Sequence, residues 1–63
     1  MNKYNYTQAK EIYRNLKVMA GKAEIVSEEA IRNDLGDEAF SILRYHGFIE
    51  YCATRGGIKM YAI

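Results

Sequence analysis

Between Ser27 and Gly47, two runs of apolar residues at helical spacing are separated by no more than Gly36 and Asp37. Ala30, Ile31 and Leu35 form the inward set of the first run. Ala39, Phe40, Ile42, Leu43 and His46 form that of the second, with Glu38, Ser41, Arg44 and Tyr45 on its other face. A break of two or three residues forces the two helices to meet across a tight turn. Ser27 can cap the first helix, and Glu28 and Glu29 meet its positive dipole end. This helix is predicted from about Glu28 to Asp34 or Leu35. Gly36 ends it, and Asp37 is expected to cap the next. Val26 and Ile31 are spaced for a hydrophobic staple. Gly47 reads as the left-handed residue closing the second helix, with Phe48 placed to pack on Leu43.

Upstream, Tyr6, Ala9, Ile12, Tyr13, Leu16, Met19 and Ala20 recur at steps of three and four. They predict a further helix from about Thr7 to Ala20, capped by Asn5 or Thr7 and ended by Gly21. Its outer face carries Lys10, Arg14 and Lys17, with Val18 also turned outward. Ala23-Glu24-Ile25-Val26 is a short apolar piece suited to a strand. Residues 48–53 and 58–63 are β-prone runs joined by Thr54-Arg55-Gly56-Gly57, and the glycine pair signals a hairpin. Lys59, alternating with Ile58 and Met60, suits an exposed sheet edge.

The 63 residues allow one domain, and one this small buries only about 60% of the surface its unfolded chain exposes. A single cysteine excludes an internal disulfide, and one His with one Cys excludes a four-ligand zinc staple. Packing or self-association must therefore stabilise the fold. The hydrophobic content of 49% excludes a disordered chain. No apolar run approaches the roughly 20 residues of a membrane span, and the polar first ten residues are unlike a signal peptide. The expectation is a cytoplasmic protein with a reduced Cys52 and no membrane partner.

The order helix, short strand, helix, turn, helix, hairpin, carried by Phe40-x-x-Leu43-x-x-x-Gly47-Phe48-Ile49, Gly56-Gly57 and Tyr61-Ala62-Ile63, resembles a minimal winged helix-turn-helix domain over essentially the whole chain. The resemblance implies an α+β fold of three helices with a short strand and a C-terminal hairpin wing. It further implies that helix 3 enters the major groove of duplex DNA while the wing touches the backbone or minor groove. Ser41, Arg44 and Tyr45 would then be the readers, Arg44 being suited to a guanine edge. On the wing, Arg55 and Lys59 would neutralise phosphates, while Thr54 and Gly56 belong to the loop that approaches closely. Leu35 and Gly47 stand closer together than in most bacterial winged-helix regulators, which implies a compressed turn and a short helix 3. The family spans transcription regulators, excisionases, replication proteins and protein-interaction modules, so it points to a fold before a task. The expected function is DNA binding in transcription regulation, recombination or replication, by a chain of a size common in phage and mobile elements. A homodimer or cooperative oligomer is expected, because one copy makes few phosphate contacts.

The formal net charge of +1 hides poles: +4 over residues 1–23, −5 over 24–38 and +2 over 39–63. Most of the acids read as helix caps and dipole matches, yet Asp37 and Glu38 stand at the helix end that groove readers present to DNA. The alternative is therefore a protein-interaction module whose acidic helix 2 and helix 3 start dock a basic partner. Of the six tyrosines, periodicity turns Tyr6 and Tyr13 inward and places Tyr51 and Tyr61 in the hairpin, leaving Tyr4 and Tyr45 outward. That pattern disfavours a base-stacking platform. No enzyme is expected: no nucleophile has a base beside it, His46 points partly to the core, and Cys52 reads as a small buried hydrophobe. The acids lack the spacing of a calcium-binding loop, so no metal or cofactor is expected.

Overall fold

The computed structural model describes residues 5–63. Tyr4, one of the tyrosines weighed above, lies outside them. The first helix, α1, spans Tyr6–Ala20. It begins at Tyr6 because Asn5 is the cap: its side-chain oxygen accepts from the Gln8 N–H at 3.1 Å. Gly21, at φ 64°, closes it by donating to the Lys17 and Val18 carbonyls. A short strand, β1 (Ile25–Ser27), leads into α2 (Glu28–Leu35), where the Ser27 hydroxyl accepts from the Ala30 N–H at 3.0 Å.

The third helix, α3 (Asp37–Tyr45), follows after one residue. Gly36 serves both helices. Its N–H donates to the Arg32 carbonyl at 2.9 Å, ending α2, and its carbonyl accepts from the Phe40 N–H at 3.2 Å, starting α3. With φ 99° and ψ 161°, it occupies backbone space open essentially to glycine alone. Asp37 is therefore not the cap that spacing predicts. It is the first helical residue, and α3 has no side-chain cap. At the other end, Phe48 N–H donates to the Leu43 carbonyl at 3.0 Å and Gly47 N–H to the Arg44 carbonyl at 3.1 Å, the paired bonds of a Schellman motif.

The hairpin is β2 (Glu50–Arg55) and β3 (Ile58–Ala62), and the antiparallel sheet runs β1-β3-β2. Thr54 and Arg55 belong to the strand, so the turn shrinks to Gly56-Gly57, at φ 57° and 83°, as a two-residue hairpin loop of this twist requires. Phe48 and Ile49 are taken up by the helix cap and the core, which delays β2 to Glu50. Lys59 lies on the central strand, so the sheet edges it was expected to blunt belong to β1 and β2 instead.

Register shifts between Tyr51 and Ala53, making Cys52 the extra residue of a β-bulge. Cys52 is exposed rather than buried, and its thiol donates to the Met60 carbonyl at 3.4 Å. An extra residue steps out of strict alternation, so the burial expected for position 52 does not follow. The core gathers Leu16, Val26, Ile31, Phe40, Leu43, Ile49 and Tyr61 from every helix and from the sheet. Val26 and Ile31 meet there as the staple spacing anticipates. Three helices, a three-stranded antiparallel sheet and a C-terminal hairpin make an α+β fold with the layout of a winged helix-turn-helix. Among the described residues, no helix is long and apolar enough to cross a membrane.

Candidate nucleic-acid interface

Ser41, Arg44 and Tyr45 are all exposed on α3, as their helical phase requires. Arg44 is also held in place. Its Nη1 donates to the Tyr61 hydroxyl at 2.9 Å, and its guanidinium carbon lies 5.2 Å from the Tyr61 ring centroid. Tyr61 is itself fixed: its ring is 2% exposed and meets Phe40 edge-on at 5.2 Å. The arginine therefore stands where α3 meets the sheet, exposed, with one of its five donors used in a side-chain hydrogen bond.

The bulge extends this surface. Cross-strand partners share a sheet face, so Tyr51 opposite Tyr61 and Thr54 opposite Lys59 lie on the helix side. Without the extra residue at Cys52, Thr54 would point the other way from Tyr51. With it, the Tyr51 and Thr54 hydroxyls hydrogen-bond at 2.6 Å. The Tyr51 ring stands edge-on to Tyr61 at 5.9 Å and is 49% exposed. Arg44, Tyr61, Tyr51 and Thr54 thus form one connected run from α3 onto the hairpin. Spacing identifies Arg44 and Thr54 but not the two tyrosines between them: Tyr61 reaches Arg44 only through the fold, and nothing in the alternation of residues 50–55 marks the bulge that puts Tyr51 and Thr54 on one face.

The other expected wing residues diverge. Arg55, opposite Ile58, projects from the far face of the hairpin. Lys59 lines an open groove of about 420 Å³ with Glu28, Glu29, Arg32, Gly57 and Ile58, so it faces the acidic first turn of α2. Gly56 sits at the tip. The structure brings Ser41, Arg44, Tyr45 and Thr54 toward one side and leaves Arg55 and Lys59 on its margins.

Arg32 links the first turns of α2 and α3. It bridges Glu28 at 2.7 Å and Asp37 at 2.9 Å, and its guanidinium lies 4.4 Å from the Phe40 ring centroid. Glu28 first, and then Asp37, hold its pKa above the ordinary arginine value, so it stays charged at any working pH. The bridge offsets part of the negative charge that Asp37 brings to this face.

Tyr6 departs from its expected inward position. At the first turn of α1 it lies beyond the core, 58% exposed, stacked on Phe48 and edge-on to His46. Tyr45 is exposed as predicted, its ring edge-on to His46 at 5.0 Å. Val18 is 78% exposed. Among the described residues, no group of three His, Cys, Asp or Glu side chains could hold a metal ion. No family model matches this chain, and no curated protein or solved structure matches it either.

Proposed function

We propose that this chain is a minimal winged helix-turn-helix protein that binds duplex DNA through α3 and the hairpin, regulating transcription or assisting recombination or replication. The observation that carries this reading is Arg44, an exposed guanidinium anchored by a buried tyrosine where a recognition helix and a wing would converge. A held arginine loses little side-chain freedom on binding, and its fork matches the acceptor pair of a guanine edge. Ser41 and Tyr45 flank it on α3, Thr54 and Gly56 approach the backbone, and Arg55 and Lys59 add charge at the margins. The exposed free thiol of Cys52 suits a reducing, cytoplasmic compartment.

Fluorescence anisotropy on a selected duplex and on random duplexes tests the reading. Arg44→Ala should cost about 1–3 kcal/mol on the selected site and relax its sequence preference, whereas Arg55→Ala should weaken all sequences alike. Wild-type affinity for both variants would sink it. A second reading has its own support. Glu29, Asp34 and Asp37 stay exposed on the α2–α3 side, a surface suited to a basic protein partner. Failure to bind any duplex at low salt would favour that alternative.

A further inference from the structure

The outer face of α1 forms a second surface that DNA binding through α3 does not use. Tyr6, Lys10, Tyr13, Arg14, Lys17 and Phe48 line an open groove of about 320 Å³. Phe48 lies between two tyrosines, 5.7 Å from Tyr6 at an interplanar angle of 23° and 5.0 Å from Tyr13 at 24°. The three near-parallel rings make an apolar floor. Lys10 Nζ leans to 5.6 Å from the Tyr6 centroid and Lys17 Nζ to 5.9 Å from that of Tyr13, so the rim is cationic. No carboxylate lines the groove, and among the described residues neither Lys10, Arg14 nor Lys17 has a carboxylate partner. An occupant must therefore bring carboxylates together with some apolar surface.

The same chain carries that complement elsewhere. Glu24, Glu29 and Asp34 are exposed around β1 and α2; Glu24 precedes the exposed Ile25, and Glu29 lines one groove with the exposed Ile58. Among the described residues, neither Glu24, Glu29 nor Asp34 forms an ion pair; the salt bridges of α2 are those of Arg32 with Glu28 and Asp37. The groove's Lys10, Arg14 and Lys17 and these three carboxylates therefore do not pair with one another within the molecule.

We propose that the α1 groove docks a second copy of this chain, head to tail, receiving the acidic β1–α2 surface of the next molecule. Such a contact is heterologous: a pair keeps one unused acidic face on one copy and one unused groove on the other, so association continues beyond a dimer unless the row closes into a ring. It leaves Ser41, Arg44 and Thr54 uncovered, and it stands whether or not DNA is the ligand. A standard interface of about 800 Å² per partner would take nearly a fifth of this chain's 4322 Å² of surface. The contact is therefore expected at the small, weak and salt-sensitive end of the range.

Analytical ultracentrifugation tests the proposal. The weight-average mass should climb above the 7.3 kDa monomer with concentration at about 50 mM salt and fall back to it at about 500 mM. Lys10→Gln with Lys17→Gln removes the groove's charge, and Glu29→Gln with Asp34→Asn removes that of the opposite face. Each double variant alone should stay monomeric. An equimolar mixture should form a one-to-one dimer and stop there, since only one good groove and one good acidic face remain. Circular dichroism melting confirms that both variants fold, because all four positions are exposed. A wild-type protein that remains monomeric at low salt, a double variant that associates as the wild type does, or folded variants that fail to pair when mixed would each overturn the proposal.

Discussion

The outward faces of α1 and α3 differ in how their cations are held. On α3, Arg44 is tied to Tyr61, a core residue 17 positions later in the chain. On α1, Lys10 and Lys17 rest over exposed or half-buried tyrosines of their own helix. The first arrangement couples a surface charge to the packing of the domain and orients it before any ligand arrives. The second leaves flexible charges beside an uncovered aromatic floor. Preorganisation suits recognition of a fixed pattern such as a base edge, while mobile cations over aromatic rings suit an adaptable, salt-sensitive contact. One face therefore should be broken through the core, and the other should tolerate substitution without loss of fold.

The largest effect tests that coupling. Tyr61→Ala removes a side chain that contacts Phe40, Tyr51 and Arg44, and it should cost about 3–5 kcal/mol, near the whole stability of a domain this small. Loss of the cooperative thermal transition is the expected result. Retention of a wild-type melting temperature would show that the hairpin and α3 are not coupled.

The α2–α3 turn comes next. An added Cβ meets nothing within 4 Å at either Gly36 or Gly47, so backbone strain alone sets the cost of a side chain there. Gly36→Val should cost about 2–3 kcal/mol, because φ 99° with ψ 161° is nearly closed to other residues. Gly47→Val, at φ 75°, should cost about 1–2 kcal/mol. Each kcal/mol corresponds to a fall of about 4–8 °C in Tm for a domain of this size. Normal melting of both variants would refute the helix boundaries.

The smallest change is the sharpest. Tyr61→Phe keeps the packing and deletes only the hydroxyl that holds Arg44, so it should cost about 1 kcal/mol of stability. If the anchored arginine reads DNA, affinity for a selected duplex should fall several-fold while Tm falls by only about 4–8 °C and unfolding stays cooperative. An unchanged affinity would make the tether irrelevant to binding.

Much of the fold is legible in the sequence because its signals are local. Ser27, Gly21, Gly36 and Gly47 each act within a turn or two of backbone, and their predicted boundaries match the helices. The departures come from choices between competing local partners or from distant ones. Asp37 sits inside α3 and pairs with Arg32, because Gly36 already fills the cap position. Cys52 is exposed because a bulge, unmarked in the alternation of its neighbours, takes it out of phase. Tyr6 has the right helical phase but stands past the end of the core. In the candidate site, the exposure of Ser41, Arg44 and Tyr45 follows from period alone. The hold of Tyr61 on Arg44, and the Tyr51–Thr54 link beyond it, depend on a fold that brings residues 44 and 61 together.

DNA affinity measured as a function of salt tests the central claim most directly. With Arg44 and Arg55 as the principal phosphate or base-edge cations and Lys59 partly offset by Glu28 and Glu29, log K against log salt should fall with a slope of about −2 to −3 per copy. Arg55→Ala should make that slope shallower by about one. No binding to duplex DNA at about 50 mM salt, or an affinity indifferent to salt, would contradict the assignment of α3 and the hairpin as a DNA-binding surface.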